Sequence, residues 1–384
     1  MDKKPLFPRF RWNNLFSFSL ADLFASKASV PLLPILKGII REEGPITIER
    51  YMNIVLQHPD HGYYRQGDPI GTTKDFGTAP EISQIFGEML GVWCLDAWKK
   101  MGSPNPVILL ELGPGHGTML NDLLRFTEPV PEFHQALRIR LLESNAALRD
   151  IQKNKLKEYN PVHIDDLSQL DPLPMLFLAN ELFDNIPARQ FIKTEQGWTE
   201  HLIALQDDRL AIVEGNEFFA LPPDPFAEES LTDAKTGYIH EFSEQSRLIM
   251  KSLAAHIVRQ GGAGAIIDYG YVDRPWVNTF DAWCQSRPVD DILTSPGKMD
   301  VTVDVDFGAL RRVAEEEGAQ VEEIVEQRDF LVSHGVGWRV KFLKEMAPEK
   351  LKQKIEKDLA ILTSSTIMGT IWKVMIVRSS NPAL

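Results

Sequence analysis

Short apolar segments alternate with helical stretches through the middle of the chain. Val107-Ile-Leu-Leu-Glu-Leu112 ends in glycines and is typical of a strand buried on both faces of a parallel sheet. A helix is predicted from about Thr118 to Phe126, and three further strands follow, at 139–143, 161–164 and 175–179. Strands separated by helices imply right-handed crossovers, so this region predicts a parallel sheet covered by helices.

The alternation is interrupted after Ala179. Short strands are predicted instead at 190–192, 201–204 and 209–213. The sheet pattern resumes at 264–268 and ends at 372–377. The short strands therefore predict a β-rich insertion, at about 188–240, between two strands of the main sheet.

The segment before the first strand has a different pattern. From Ile46 to Met101 it is mostly helical, broken between His58 and Pro80 by a loop rich in Gly, Asp, Thr and Pro. A longer helix is predicted after Glu81. The expected fold is therefore α/β, a Rossmann-like seven-strand sheet with an N-terminal helical region and a β-rich insertion.

Composition narrows the class of protein. With 384 residues, 43% hydrophobic and 25% charged, the chain can bury a large core. Its apolar runs are too short to span a bilayer, so we expect no membrane span. Two cysteines without a CxxC motif suggest neither a disulfide framework nor a structural zinc site, and a reducing compartment fits them best. A net charge of −13 argues against a nucleic-acid partner.

The first 40 residues are basic, unlike the rest. Six Lys or Arg outnumber Asp2 and Asp22, and Phe, Ser and Trp are interleaved with them. Such a segment is typical of an organelle transit peptide, and equally of a loosely docked N-terminal arm. Residues 1–40 are therefore treated as an extension that is either flexible or targeting.

The glycine-rich turn after the first strand carries the strongest chemical signal. Glycines between a buried strand and a helix let the backbone turn sharply and approach a ligand closely. A dinucleotide fingerprint would be GxGxxG. Here an acid precedes Gly-x-Gly-x-Gly, the pattern associated with S-adenosylmethionine, whose ammonium a carboxylate can meet. The predicted cofactor residues of this turn are Glu111, Gly113, Pro114, Gly115, Gly117 and Thr118.

Acidic residues also follow the next two predicted strands. Glu143 lies about 30 residues downstream of the first strand, where α/β nucleotide folds place an acid on ribose hydroxyls. An ionised carboxylate can accept two hydrogen bonds from a vicinal diol. Asp165 or Asp166 could accept a hydrogen bond from the adenine amino group. The three positions extend the predicted S-adenosylmethionine site.

Many separate segments resemble one known family. They include His61-Gly-Tyr-Tyr64, Thr78-Ala-Pro-Glu-Ile-Ser-Gln84, the glycine turn, Ala179-Asn-Glu-Leu-Phe-Asp184, Asp268-Tyr-Gly270 and Pro296-Gly-Lys-Met-Asp300. From about Gly44 onward the chain resembles the MidA-like family of class I methyltransferases, which includes a mitochondrial complex I assembly factor with protein arginine methyltransferase activity and its bacterial relatives. His116, Leu182, Asn185 and Ile186 depart from the family's usual residues.

The resemblance implies S-adenosylmethionine-dependent N-methylation of a protein arginine, linked to respiratory complex I assembly. A bidentate carboxylate suits a guanidinium. Asn180, Glu181 and Asp184 follow the fourth strand beside the cofactor's reactive end, and Glu81 is a second candidate clamp on a lid. The predicted division is thus 1–40, a helical or lid region at 41–105, and a methyltransferase domain at 106–384.

Other interpretations stay open at this point. Asp300, Asp304 and Asp306 alternate along a short run and could suggest a metal site, but a period of two predicts one solvated strand face, so we expect no metal. His334 is a weaker candidate for proton transfer. Rival functions are methylation of a small molecule or RNA, and a non-enzymatic assembly factor that keeps the fold. Oligomeric state, with a homodimer as one option, and compartment, either bacterial cytoplasm or mitochondrial matrix, are undecided.

Overall fold

The computed structural model describes residues 31–65, 77–224, 231, 234–284 and 287–380. The strands are β1 (Ile46–Thr47), β2 (Val107–Leu112), β3 (Leu137–Leu142), β4 (Val162–Ile164), β5 (Met175–Asn180), β6 (Arg189–Thr194), β7 (Gly197–Gln206), β8 (Arg209–Glu214), β9 (Ile239–Phe242), β10 (Gly262–Tyr271), β11 (Asp281–Cys284), β12 (Arg287–Pro288), β13 (Asp300–Thr302), β14 (Val305–Asp306), β15 (Gln320–Val321), β16 (Val325–Glu326) and β17 (Trp372–Arg378).

The helices are α1 (Leu32–Glu43), α2 (Ile48–Gln57), α3 (Ala79–Ile82), α4 (Gln84–Lys100), α5 (Thr118–Thr127), α6 (Pro131–Ala136), α7 (Ala146–Lys155), α8 (Glu244–Gln260), α9 (Phe307–Glu316), α10 (Gln327–Ser333), α11 (Val336–Met346) and α12 (Glu349–Thr363). Residues 1–30 of the predicted N-terminal extension lie outside the described residues. Residue 31 directly precedes α1, and residues 32–40 lie within it.

The main sheet contains the predicted central strands. Its path is β4-β3-β2-β5-β10-β17-β15, with β14 on β10 and β16 on β17. The strands from β4 to β10 pair in parallel, as predicted, whereas β17 is antiparallel to β10. This seven-strand path confirms the expected α/β sheet.

Helices cover both faces of the sheet, which explains the uninterrupted apolar runs. All six residues of β2 are buried. Leu109 packs in the cluster formed with α4 and α5, while Ile108 and Leu110 pack in the cluster formed with α8 and α9. Because neighbouring residues of a strand point to opposite faces, a strand between two helical layers must be apolar at almost every position.

The insertion forms a second sheet. Its order is β1-β7-β6-β9, with β8 on the outside of β7, and the three short strands predicted there fall within β6, β7 and β8. Unexpectedly, β1 comes from the region predicted as helical, and Ile46 pairs with Ile203. Side chains of α1, α2 and β7 share one hydrophobic cluster. The insertion is therefore held against the N-terminal helices.

Between β16 and β17 the chain forms α10, α11 and α12, which the apolar pattern did not predict. Phe330, Val340 and Leu362 from these three helices join the cluster that contains α4 and α5. They cover the same face of the sheet as α4. In the described ranges, no helix combines the length and apolar character needed to cross a membrane.

Candidate functional site

A cavity of about 660 Å³ lies at the carboxyl ends of β2, β3 and β5. Ligands of open α/β sheets bind at this edge. The predicted residues that line the cavity are Glu81, Glu111, Gly113, Pro114, Gly115, Thr118, Glu143, Asp165, Asn180, Glu181 and Asp184. Gly117 and Asp166 are not among the lining residues.

The glycine turn joins β2 to α5. Gly113, Gly115 and Gly117 have φ angles of 62°, 53° and 69°, a conformation that favours glycine. Gly117 is the N-cap of α5, and its N–H donates to the Pro114 carbonyl at 2.7 Å. A Cβ on Gly113 would lie 3.0 Å from Leu182 Cδ1. Gly117 therefore shapes the turn, while Gly113 and Gly115 face the cavity.

Two buried carboxyl groups flank this turn. Glu111 Oε2 is buried, and no group in the described part of the chain donates a hydrogen bond to it. Burial, with the nearby Glu143 second, raises the pKa of Glu111 to about 8. Glu143 accepts from the Asn145 N–H at 2.8 Å and from Gln152 Nε2 at 3.2 Å, and burial raises its pKa as well.

Gln152 ties the second carboxyl group to the glycine turn. Its Nε2 also donates to the Gly115 carbonyl at 2.7 Å, and the residue is fully buried on α7. His163 lies 2.7 Å from Gln152 Oε1. Sequence reasoning missed Gln152, because an amide in a helix carries no motif. Its contacts fix the distance between the turn and Glu143.

At the end of the cavity away from the glycine turn, the short turn at Tyr63–Arg65 covers β3 and Asp165 lines the wall. Arg65 donates to the Ser144 carbonyl at 2.7 Å, and Asn145 Nδ2 donates to the Tyr64 carbonyl at 2.8 Å, so the turn at Tyr63–Arg65 closes over β3. Asp165 forms an ion pair with Arg149 at 2.6 Å.

Its neighbour Asp166 behaves differently. The Asp166 side chain is exposed and accepts from the Ser168 N–H at 2.7 Å; the Ser168 hydroxyl, with this N–H second, lowers the pKa of Asp166. It caps the short turn at Leu167–Gln169. Of the two acids predicted for the adenine end, Asp165 is the one that lines the cavity.

The turn after β5 holds the acceptor-side residues. Glu181 has a φ of 47°, an unusual conformation for a residue with a Cβ, and its N–H donates to the Ile267 carbonyl at 2.9 Å. Asp268 Oδ2 accepts from the N–H groups of the three residues that follow, Leu182, Phe183 and Asp184. The turn is therefore fastened to the end of β10, and Asp268 acts as its anchor.

Three buried acceptor oxygens in this turn make no hydrogen bond of ordinary geometry: Asn180 Oδ1, Glu181 Oε2 and Asp184 Oδ1. The Trp372 and Asn180 side chains approach the Glu181 carboxyl closely enough to lower its pKa, but by less than burial raises it. Burial, with the Asp184 charge second, raises the pKa of Glu181 to about 8. Burial raises the pKa of Asp184 to about 6, against the Tyr269 hydroxyl that donates to it. Buried polar atoms without partners are rare in folded proteins and commonly mark a ligand site.

Glu81 connects the lid to the glycine turn. Thr118 Oγ1 donates to Glu81 Oε1 at 2.6 Å, and His116 Nδ1 lies 3.3 Å from the same oxygen. Lys155 donates in turn to Thr118 Oγ1 at 2.6 Å. At the start of the same short helix α3, the Ala79 N–H lies 3.4 Å from Glu181 Oε1. The lid helix thus contacts both ends of the cavity.

A polar network that the sequence did not predict closes the acceptor side. The Tyr64 hydroxyl lies 2.8 Å from Asn185 Oδ1 and 2.9 Å from Asp300 Oδ1, and Asn185 Nδ2 donates to Asp300 at 2.8 Å. Asp300 is buried, so its expected place on a solvated strand face is wrong. Residues 64 and 300 are too far apart in sequence for a local pattern to pair them.

The other candidates lie elsewhere. Asp304 and Asp306 fall on either side of the start of β14, and burial raises the pKa of Asp304 to about 7. His334 Nδ1 lies 2.7 Å from the Phe330 carbonyl, at the end of α10, and His334 does not line the cavity. Across the described ranges, no group of three or more His, Cys, Asp or Glu side chains could hold a metal ion.

The site's own atoms fit S-adenosylmethionine. An unpartnered buried carboxyl oxygen on Glu111 suits an ammonium, and the side chain of Glu143 suits a ribose diol. The left-handed glycines leave the backbone bare beside them. The fit to S-adenosylmethionine therefore rests on Glu111, Glu143 and the glycine turn, which the fold brings together at one edge of the sheet.

Comparison with known proteins agrees with this fit. Residues 89–325 match the family model described as "Putative S-adenosyl-L-methionine-dependent methyltransferase". "Protein arginine methyltransferase NDUFAF7, mitochondrial" is 32% identical in Homo sapiens, over 94% of this chain and 86% of that protein, and 34% identical in Mus musculus, over 90% and 83%.

A solved structure shows the same fold. It is a "likely methyl transferase" from Burkholderia thailandensis bound to S-adenosyl-homocysteine, with a TM-score of 0.76, 24% identity and coverage of 91% of this chain and 92% of that one. The predicted fold, family and cofactor are thereby confirmed. The chain belongs to the family of S-adenosyl-L-methionine-dependent methyltransferases whose family model matches residues 89–325.

Proposed function

We propose that this protein is an S-adenosylmethionine-dependent protein arginine N-methyltransferase. The observation that carries the proposal is the set of three unpartnered oxygens on Asn180, Glu181 and Asp184. A guanidinium presents its N–H donors in a planar fork that matches carboxylate oxygens, whereas a lysine ammonium has three donors, enough for three oxygens, but no such fork. The names of the relatives, which are protein arginine methyltransferases, support the same acceptor.

The cofactor is assigned to the glycine-turn side of the cavity. Glu111 receives its ammonium, Glu143 its ribose hydroxyls and Asp165 its adenine amino group, while Gly113 and Gly115 leave room for close approach. When bound, S-adenosylmethionine supplies an electrophilic methyl group. Gln152 holds the Gly115 carbonyl and Glu143 at a fixed spacing, so the protein positions the two ends of the ligand together.

Glu181 and Asp184 bind the guanidinium on the other side. Each has one oxygen held by the protein, through Ala79 and Tyr269, and one oxygen free for the substrate. A bound cation lowers the pKa of both carboxyl groups, so near neutral pH Glu181 ionises as the substrate enters, while Asp184, with a pKa of about 6, is already ionised. Asn180 Oδ1 accepts a further N–H and orients the plane of the guanidinium.

The free oxygen of Glu181 can also accept the proton that the guanidinium loses on methylation. The guanidinium nitrogen must lose a proton during or after methylation, since the product would otherwise carry an extra one. A methylated nitrogen that still carries this proton is far more acidic than the starting guanidinium. Glu181 Oε2 is buried beside the substrate, so it can accept that proton. The lid helix α3 excludes water while Glu81 stays fastened to Thr118.

The partner and compartment complete the proposal. The acceptor is a protein, and the resemblance to the MidA-like family suggests a subunit of respiratory complex I. The relatives are named mitochondrial, which supports the mitochondrial matrix for a eukaryotic source, with the cytoplasm as the equivalent in a bacterium. A homodimer is the simplest assembly to test alongside activity.

The experiment is methyl transfer from labelled S-adenosylmethionine to matched peptides that differ only by Arg or Lys at one position. We expect label on the arginine peptide alone, identified as methylarginine after hydrolysis. Glu181→Gln should bind S-adenosylmethionine normally by calorimetry but lose about 100-fold or more in turnover, because an amide cannot neutralise a guanidinium. Glu195→Gln, at an exposed hairpin turn, is the matched control.

The rivals give different outcomes. Transfer to RNA or to a small molecule, with none to arginine, would overturn the acceptor assignment. Cofactor binding without transfer to any acceptor would favour a non-enzymatic assembly factor. Wild-type turnover in Glu181→Gln would remove Glu181 from its assigned role.

A further inference from the structure

One surface of the molecule displays large apolar side chains. Of the exposed large hydrophobic residues in the described part of the chain, five fall between 332 and 351, on α10, α11 and α12: Val332, Trp338, Phe342, Met346 and Leu351. Trp338 is 79% exposed and Met346 76%. The remaining four are scattered over other elements. We call these five residues the apolar face; such clusters on a protein surface mark interaction sites.

The geometry of α11 makes this face continuous. Trp338, Phe342 and Met346 are spaced by four residues and therefore lie along one side of the helix. Val336 and Val340 are buried, and two residues of helix correspond to about 200°, so they lie on the opposite side. A helix that is apolar on both sides is normally covered on both. The described residues cover only one.

The helix is held firmly in this orientation. Arg339 donates from Nε and one terminal nitrogen to the two carboxylate oxygens of Glu88 on α4, at 2.7 Å each. Glu88 is almost fully buried, which makes this bidentate pair a strong anchor. The side chains of the apolar face are therefore displayed outward by a fixed helix and cannot turn inward.

The surroundings of the apolar face are basic in an acidic protein. Together α11 and α12 contain seven Lys or Arg and four Asp or Glu; with Arg339 neutralised by Glu88 of α4 they keep a net charge of +2, whereas the whole chain has a net charge of −13. Lys341, Lys350 and Lys357 are exposed, and no carboxylate among the described residues pairs with them. Lys341 lies 5.8 Å from the centre of the Trp338 ring.

The positive charge around the apolar face indicates which kind of partner binds there. A two-fold dimer would place the same positive surface against itself, which costs free energy. An anionic bilayer suits both the apolar side chains and the positive charge. Aromatic and thioether side chains enter the boundary between headgroups and acyl chains, while lysines meet lipid phosphates. We propose that the apolar face docks the protein peripherally on the surface of an anionic phospholipid membrane.

The docked face adjoins the lid of the cavity. Lys354 Nζ on α12 lies 3.4 Å from the Ile82 carbonyl, next to Glu81 on α3. A bilayer under α11 and α12 would hold the mouth of the cavity near the membrane surface. If the proposed function holds, the enzyme therefore favours acceptor proteins at a membrane, but lipid binding itself does not depend on that function.

The test is co-sedimentation of the full chain with phosphatidylcholine vesicles, with and without phosphatidylglycerol. We expect binding to the anionic vesicles that weakens as salt rises. Trp338→Ser with Phe342→Ser should reduce the bound fraction about tenfold, and Lys341→Glu with Lys350→Glu should reduce it about as much. Leu248→Ser, at an apolar residue of α8 about as exposed as Phe342, is the matched control and should bind as wild type.

Several outcomes would overturn the proposal. They are absence of binding to anionic vesicles at low salt, binding that the two double variants leave intact, and a dimer seen by light scattering that Trp338→Ser with Phe342→Ser dissociates. Methylation of a soluble arginine peptide without vesicles should be the same in all variants. A change there would point to misfolding or to the active site, which separates this test from that of the proposed function.

Discussion

The Tyr269 hydroxyl donates a hydrogen bond to Asp184 Oδ2 at 2.6 Å, and this leaves Asp184 Oδ1 as the oxygen free to bind substrate. Tyr269 stands near the end of β10, directly after the anchor Asp268, so one strand end both fixes the turn at residues 182–184 and orients its carboxylate. Tyr269 is therefore a positioning residue for Asp184.

Removal of that hydroxyl should change the pH profile. In Tyr269→Phe, the ionised form of Asp184 loses a donor, so its pKa should rise from about 6 by one unit or more. Turnover should fall about threefold or more near pH 6.5, as the ionised fraction of Asp184 falls, and recover towards pH 9. A pH–rate profile measures this. Tyr159→Phe, which loses an exposed contact to Glu128, is the control, and an equal loss at every pH would mean a purely structural role.

Substrate affinity should itself depend on pH. The pKa values of Glu181 and Asp184 are about 8 and 6, and the Asp184 charge contributes to the raised pKa of Glu181; below these values the two carboxyl groups are neutral and hold a cation weakly. The KM for an arginine peptide should therefore fall as pH rises from 6 to 8, by about tenfold. In Glu181→Gln the dependence near pH 8 should disappear. A KM independent of pH would contradict ionisation of this pair.

The glycine turn gives a matched pair of variants. Gly113→Ala places a Cβ in a left-handed conformation at the cavity, 3.0 Å from Leu182 Cδ1, whereas Gly102→Ala places one in a left-handed conformation where nothing lies within 4 Å. Backbone strain should cost each variant about 1–2 kcal/mol of unfolding free energy, and the contact with Leu182 adds to the cost of Gly113→Ala. Affinity for S-adenosylmethionine, by calorimetry, should fall at least tenfold in Gly113→Ala alone. Equal affinities of the two variants for S-adenosylmethionine would show that Gly113 does not lie against the cofactor.

Thr118 should couple the cofactor side to the lid. Thr118→Val keeps the shape but removes the hydroxyl between Lys155 and Glu81, so the lid should lose its fastening. We expect KM for the acceptor to rise several-fold. A double-mutant cycle with Glu81→Gln tests the contact, because two changes to one hydrogen bond should not be additive. Additive effects would show that the two residues act separately.

Local pattern was sufficient for the parts of the fold that two helical layers bury. β2 was predicted with its observed bounds because a strand between two helical layers must be apolar at almost every position. The acids at the ends of β2, β3 and β5 line one cavity because parallel strands end at one edge. β1 was missed because a two-residue strand pairs with β7 across more than 150 residues and leaves no periodicity of its own.

The site shows the same division. Glu111, Glu143 and Glu181 could be proposed from motif and position, and all line the cavity. Gln152 and Tyr64 could not, because each acts through a contact that exists only once the chain has folded. Asp300 was placed in solvent by its alternation with valines, yet hydrogen bonds to Tyr64 and Asn185 make its burial possible.

The left-handed backbone at Glu181 bears on how this protein could be evolved in the laboratory. At φ 47° a glutamate costs roughly 1 kcal/mol more than glycine, and its carboxyl group is buried as well. Glycine at this position would relieve both costs. A library screened for heat resistance alone would therefore accumulate inactive chains changed at residue 181, so turnover has to be screened in the same round.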